Sequence, residues 1–185
     1  ARGQITLVNH RDHLADRPLA TRENLSRAIQ RLAERSNLIA LRLMMLTLVR
    51  PSELREARWS EVDTEGRQWI IPAERMKAGK EHRVPLSSFA LAILKKLPKK
   101  ADVDLVFSTE SGKALSDMAL TSVLRRMEVD AVPHGFRSTF RDWAAEHRYP
   151  FEVAEAALSH KIGLKEVAAY LRTDHLNERT GMMEA

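Results

Sequence analysis

The feature that most constrains this fold is an apolar segment over residues 38–49, hydrophobic on nearly all sides and interrupted by Arg42. A helix that is apolar all round is buried by other elements, and this one is too short to span a bilayer. Pro51 disfavours the helical region for Arg50 and suits the first turn of a new helix over residues 52–57. We therefore predict a globular domain built around a central buried helix that ends near Arg50.

Apolar residues at helical spacing predict further helices along most of the chain. We expect them over residues 21–33 with Thr21 as N-cap, 88–97, 116–127 with Ser116 as N-cap, 136–144, 151–158 and 164–172. Residues 1–20 are polar and without periodicity, which is typical of a linker arm preceding a domain over residues 21–185.

Two short segments differ from this helical pattern. Residues 67–72 and 82–86 are rich in β-forming residues and bounded by proline, and the polar stretch 73–80 connects them. They predict a small antiparallel β-meander. The expected fold class is therefore mainly α with one small sheet (α+β).

Composition narrows the function classes. The chain has 185 residues, a formal net charge of +5 and no cysteine, which excludes disulfides, thiol catalysis and cysteine-ligated metals. The basic balance favours an anionic partner, nucleic acid ahead of membranes or acidic substrates, although a merely basic surface remains open. No signal peptide is visible and the first residue is Ala1, so we expect an excised domain of a soluble cytoplasmic protein.

Arg50 stands at the junction of the buried helix and the next one. An arginine there must reach solvent or be held by a charge partner, because burying an unpaired cation is costly. Glu53 is the candidate partner. The alternative interpretation is a cation that simply favours a helix C-terminus.

Two histidines and a second arginine are further candidates. His134 and Arg137 share one helical face if a helix begins near His134, and a guanidinium fork fits two phosphate oxygens. His160 lies in a turn between two predicted helices. Solvated basic residues at a helix start, and a structural histidine in a turn, are the alternatives.

Tyr170 is placed by helix geometry. It points roughly 110° away from the centre of the apolar stripe of the predicted helix 164–172, so it flanks the core. An ordinary surface tyrosine remains the alternative. Lys77 and Lys80 lie between the predicted strands, where an ammonium group can reach a ligand. The alternative is that they have no function, because lysines are common in hairpin connections.

Read together, these residues resemble the tyrosine recombinase family, also called phage integrases. The motifs are Val-Arg50-Pro-Ser-Glu-Leu-Arg, Lys77-Ala-Gly-Lys-Glu-His-Arg-Val-Pro-Leu, His134-Gly-Phe-Arg137, Leu-Ser-His160-Lys and Ala-Ala-Tyr170. The flanking sequences resemble integrases of P4-like prophages and genomic islands. The resemblance covers roughly residues 20–180.

The resemblance implies a catalytic-domain fold and a role for each residue. Arg50, His134, Arg137 and His160 would hold the scissile phosphate, Lys77 would be the general acid, Tyr170 the nucleophile, and Glu53 would brace Arg50. DNA contacts are expected from Arg50, Lys77, Lys80, Arg137, Arg141 and Lys161. The resemblance also implies site-specific integration or excision of DNA through a 3′-phosphotyrosyl link, without a cofactor or a metal ion. The implied partners are double-stranded attachment sites, a homotetramer on DNA and DNA-bending accessory proteins, on the bacterial nucleoid.

Several alternatives remain open at this point. His160 and Tyr170 are ten residues apart, one more than is common in the family, which leaves the helix phase open. Tyr149 is the rival nucleophile, and Lys80 the rival of Lys77. The extra N-terminal DNA-binding domains of the family are not expected in this chain. A type IB topoisomerase, a non-catalytic DNA-binding remnant and a basic interaction domain are the competing functions.

Overall fold

The computed structural model describes residues 36–160 and 173–185, and every structural statement below concerns these two ranges. The described helices, renumbered in chain order, are α1 Ser36–Thr47, α2 Pro51–Arg55, α3 Ser88–Lys96, α4 Ala119–Arg126, α5 Gly135–Glu146, α6 Phe151–Ala157 and α7 Leu176–Glu184. The strands are β1 Val62–Asp63, β2 Gln68–Ile71 and β3 His82–Pro85, with 3-10 turns at Trp59–Glu61 and Ala73–Arg75.

The central helix α1 is buried as its composition predicts. Ala40, Leu41, Leu43 and Met44 are almost fully shielded from solvent, and α1 packs against α2, α3 and α4. Arg50 adopts an extended backbone and Pro51 occupies the first position of α2, where its missing N–H costs nothing. The chain therefore turns sharply between the two helices at Arg50.

The sheet is the predicted antiparallel meander, in the order β1-β2-β3. Trp69 pairs with Val84 and Ile71 with His82, and all four side chains are buried. The short strand β1 is an addition that sequence reasoning did not predict. The mainly α fold class with one small sheet is thus confirmed.

A second, smaller apolar cluster joins α5, α6 and α7. Helix α7 packs against α6 and β3. Its Arg179 is 1% exposed, donates to the carbonyl oxygen of Arg83 at 2.7 Å and forms an ion pair with Asp174 at 3.1 Å. This polar anchor fixes the end of the chain to the sheet.

Two predictions about helices need correction. Ser116 is not the N-cap of α4, because Met118 occupies that position and Ser116 contributes only its backbone carbonyl oxygen, to the N–H of Ala119. The predicted helix over residues 164–172 is not the last one of the chain, because α7 follows these residues. The predicted helix over 21–33, the arm over 1–20 and the helix over 164–172 lie outside the described residues. Within the described ranges, no helix has the length and apolar character needed to cross a membrane.

Candidate active site

The end of α6 forms the floor of the site. Ser159 has a left-handed backbone with φ of 49°. The N–H of His160 donates to the carbonyl oxygen of Glu155 at 3.0 Å, and the N–H of Ser159 to that of Ala156 at 3.1 Å. This pattern is a Schellman motif, which ends a helix and turns the chain away. The carbonyl oxygens of Leu158 and Ser159 are thereby left to accept other donors, and His160 follows directly.

Arg50, which precedes α2, and Arg137, which lies on α5, supply those donors. Arg50 Nη2 donates to the Ser159 carbonyl oxygen at 3.1 Å, and Arg137 Nη2 donates to the Leu158 carbonyl oxygen. Arg137 Nη1 donates to the carbonyl oxygen of Leu48, the left-handed residue that ends α1. The two guanidinium groups therefore lie side by side, and each is held by backbone oxygens.

Glu53 holds Arg50 as the sequence suggested. Its side chain, 3% exposed, accepts from Arg50 Nη1 at 2.8 Å and from the Arg50 backbone N–H at 2.7 Å. One carboxylate thus caps α2 and orients the guanidinium through two charge-assisted hydrogen bonds.

Arg137 is the more deeply buried arginine, at 4% exposure. Burial, together with the positive charge of Arg50, lowers the pKa of Arg137 to about 10, while the carboxylates of Glu53 and Glu155 act in the opposite direction. The guanidinium remains charged at neutral pH. The site is therefore a fixed concentration of positive charge, suited to an anion.

His160 completes this group. Its Nε2 lies 3.2 Å from Arg137 Nη2, and its Nδ1 lies 3.0 Å from Oε2 of the buried Glu155. Partial burial lowers the pKa of His160, the hydrogen bond that it donates to Glu155 raises it, and the charges of Arg137 and Arg50 lower it further. The net effect is a lowered pKa.

His134 and the hairpin lysines border the arginine pair. His134 is the residue just before α5, one turn from Arg137, as the spacing predicted. Partial burial lowers the pKa of His134, as do the charges of Arg137, Arg50, His160 and Lys77. Lys77 and Lys80 are both exposed on the connection between β2 and β3. Lys77 is the smallest of these influences on the His134 pKa.

Of the remaining candidates, two lie within the described residues and two lie outside them. Arg141 is half exposed, and its Nε lies 2.9 Å from Glu155. Tyr149 is partly buried and stacks on Trp143 with ring centroids 5.4 Å apart, which gives it a packing role. Tyr170 and Lys161 lie outside the described residues.

Sequence reasoning missed two side chains of the site. Glu155 lies on the apolar helix α6, and a carboxylate among buried alanines and valine was the available signal. His82 is 7% exposed. Burial and the charges of Arg179, Arg137 and Arg50 lower the pKa of His82 to about 3. His82 is therefore neutral at physiological pH and lies within range of the charges of Arg50 and Arg137. Within residues 36–160 and 173–185, no cluster of three or more histidine or acidic side chains is arranged to hold a metal ion.

Solved structures share this architecture. The chain superposes on a crystal structure of XerA recombinase with a TM-score of 0.64 and 16% identity, over 81% of this chain and 60% of that one. A lambda integrase dimer bound to a COC′ core site gives a TM-score of 0.58 at 18% identity, over 85% of this chain and 48% of that one. The fold is therefore that of tyrosine recombinase catalytic domains.

Sequence relatives identify the family. The model of the phage integrase family matches residues 20–176, and the chain belongs to that family. Prophage integrase IntA of Escherichia coli (strain K12) is 37% identical over 145 residues, covering 76% of this chain and 35% of that protein. The integrase of Enterobacteria phage P4 is 37% identical over 167 residues, covering 79% of this chain and 38% of that protein. The chain thus spans little more than a third of the length of these relatives.

Proposed function

We propose that this chain is the catalytic domain of a site-specific recombinase, which cuts and rejoins DNA through a 3′-phosphotyrosyl link at Tyr170. The observation that carries the proposal is the convergence of Arg50, Arg137 and His160. Two arginines, one just before α2 and one on α5, are bound to consecutive carbonyl oxygens beside a histidine. Such a fixed array of donors matches the oxygens of a phosphodiester.

The array would act chiefly on the transition state. Attack on a phosphodiester places more negative charge on the phosphoryl oxygens than the ground state carries, so fixed cations lower the barrier. Arg50 and Arg137 are held by Glu53 and by backbone oxygens before any DNA arrives. Little reorganisation is then needed during the reaction. His134 and His160 would complete the phosphate contacts.

Tyr170 would supply the nucleophile and Lys77 the proton for the leaving group. The phenolic oxygen loses its proton to solvent and forms a bond to phosphorus, the bond from phosphorus to the 5′ oxygen breaks, and Lys77 protonates that oxygen. The effect of the Lys77 charge on the His134 pKa supports a place for Lys77 near the site. The liberated 5′ hydroxyl can then attack the link on a partner strand. One ester replaces another, so no energy source is required.

The proposal extends to partners. The substrates would be double-stranded attachment sites of a prophage or genomic island, and exchange would need four copies and DNA-bending proteins. The net charge of +5 supports a DNA partner. The integrase names of the relatives favour strand exchange over topoisomerase-like relaxation. Residues 21–185 would form the catalytic domain and residues 1–20 its linker, acting in the bacterial cytoplasm.

A trapping assay tests the function. The probe is a pool of randomised duplexes, each with one 5′-bridging phosphorothiolate, whose thiolate leaving group needs no acid and rejoins poorly. We expect a covalent protein–DNA band for the unchanged chain. Arg137→Gln should abolish it, because a neutral amide cannot stabilise the developing charge.

Tyrosine variants locate the nucleophile in the same assay. Tyr170→Phe should give no band while retaining most DNA affinity, since phosphate contacts dominate that affinity. Tyr149→Phe is the matched control and should cleave at the normal rate. A band that persists in Tyr170→Phe and disappears in Tyr149→Phe would overturn the assignment.

A further inference from the structure

Glu155 is a buried carboxylate that takes no part in the proposed reaction. It is 6% exposed, and one oxygen faces His160 Nδ1 at 3.0 Å. The other oxygen faces Arg141 Nε at 2.9 Å. Burying a carboxylate is costly unless it is paired. The position is thus occupied by a charge where its apolar neighbours on α6 would permit a hydrophobic residue.

The two partners of His160 define which ring nitrogen carries the proton. Arg137 Nη2 can only donate, so Nε2 at 3.2 Å must be the acceptor. The carboxylate of Glu155 accepts, so Nδ1 must be the donor. Both contacts require the same neutral tautomer, with hydrogen on Nδ1. The lone pair of Nε2 then lies at the arginine pair.

This tautomer cannot donate a hydrogen bond to phosphate from Nε2. A phosphate oxygen only accepts, so His160 must first gain a proton on Nε2. The groups that face the ring are Arg50, Arg137 and His134, with Glu155 as the negative one. The positive charges of the arginines oppose protonation of His160. An incoming phosphate adds a negative charge, which favours the protonated ring.

We propose that Glu155 is a positioning residue of this site: it fixes the Nδ1–H tautomer of His160 and supports uptake of a proton on Nε2 when DNA phosphate enters between the arginines. The inference rests on the proposed function, because it takes DNA as the ligand. The proton comes from solvent. His160 becomes an imidazolium that donates to Glu155 from Nδ1 and to the phosphate from Nε2.

A purely structural Glu155 makes different predictions. In that account the carboxylate only joins α5 to α6 by neutralising Arg141. Removing Arg141 should then reproduce every effect of removing Glu155. Arg141→Gln is the matched control, since it breaks that ion pair and leaves the contact with His160 in place.

The test is nitrogen NMR of histidine-labelled protein in the Tyr170→Phe background, which binds DNA without cutting it. The His160 signal is assigned by its loss in His160→Asn. In the unchanged site we expect the Nδ1–H tautomer at neutral pH. A short synthetic duplex should raise the His160 titration midpoint by about one pH unit. The readout needs no cleavage, so failure of the Tyr170 assignment would leave it interpretable.

Two variants separate charge from geometry. Glu155→Gln keeps an oxygen that can accept from Nδ1–H, so we expect the same tautomer with a lower midpoint, free and bound. Glu155→Leu removes the acceptor, so the tautomer should no longer be fixed, and trapped-adduct formation in the Tyr170 chain should fall about 10- to 100-fold. An unchanged tautomer in Glu155→Leu, a midpoint unaffected by DNA in the parent, or loss of the fixed tautomer in Arg141→Gln would overturn the proposal.

Discussion

Substituting Glu53 offers the sharpest test of how the arginine pair is built. The carboxylate is 3% exposed and accepts two hydrogen bonds from Arg50, one from the backbone N–H at 2.7 Å and one from Nη1 at 2.8 Å. Glu53→Gln retains one acceptor oxygen and sets an amide N–H against the other donor. Glu53→Ala removes both acceptors and leaves Arg50, whose side chain is only 19% exposed, without its carboxylate.

The expected magnitudes follow from those contacts. A hydrogen bond to a charged group contributes about 1.5–3 kcal/mol, so Glu53→Gln should lower the free energy of unfolding by about 2–3 kcal/mol. Breaking a buried ion pair from one side costs about 3–5 kcal/mol, and we expect Glu53→Ala to lie in that range. Arg50 would also lose its orientation, so trapped-adduct formation should fall in both variants.

Urea denaturation measures these differences, with the midpoint shifting at constant slope. Glu56→Gln is the control, since Glu56 lies on the same turn of chain and is exposed; it should change stability by about 0.5 kcal/mol or less. If Glu53→Gln were no more destabilising than Glu56→Gln, the hydrogen bonds between Glu53 and Arg50 would be absent in solution. The orientation of Arg50 would then need another cause.

Three further predictions concern the acid, a helix end and pH. Lys77→Ala should lose cleavage of ordinary phosphodiester DNA and recover it on the bridging phosphorothiolate, because a thiolate leaves without protonation. Lys80→Ala is the control and should cleave both substrates. Equal behaviour of the two variants would contradict the assignment of Lys77 as the acid. Arg148 follows the end of α5 and is exposed, with a left-handed backbone at φ of 60°, so Arg148→Gly should stabilise the folded protein by about 1 kcal/mol. Arg125→Gly inside α4 should destabilise it by about 1 kcal/mol. Thermal melting compares the two variants, and a loss of stability in both would be evidence against the left-handed backbone at Arg148. The pKa of His82 falls from 6.5 to about 3 on folding, so the unfolded chain binds the extra proton and stability declines as pH drops from 6.5 towards 3. Denaturation should show a loss of about 2 kcal/mol from this group between pH 7 and pH 5, absent in His82→Asn, and an equal slope in that variant would refute it.

The elements that sequence predicted well are those fixed by local patterns. The apolar run over 38–49 and the proline after Arg50 located α1 and α2 to within about two residues. Pro-bounded β-forming segments located β2 and β3. These signals are local because helix and strand periodicity, and the steric effect of proline, act over a few residues.

The elements that were missed depend on contacts between distant residues. Helix α7 has no apolar stripe, and its Arg179 is held by Arg83, 96 positions earlier in the chain. The predicted N-cap of α4 is wrong because Ser116 accepts from the N–H of Ala119 through its backbone carbonyl oxygen and not through its hydroxyl group. The motif residues named the candidate site and Glu53 as the partner of Arg50, whereas the supports that come from distant residues could not be foreseen. Arg50 reaches Ser159 across 109 positions.

The most direct test of the central claim is to identify the residue that becomes attached to DNA. The trapped adduct is digested with trypsin and nuclease, and the modified peptide is sequenced by mass spectrometry. Tyr170 lies in the peptide of residues 166–172, and Tyr149 lies in that of residues 149–161, so the two are resolved by mass. We predict a nucleotide on the oxygen of Tyr170 through a 3′ phosphate. A nucleotide on Tyr149, or attachment through a 5′ phosphate, would contradict this account of the protein.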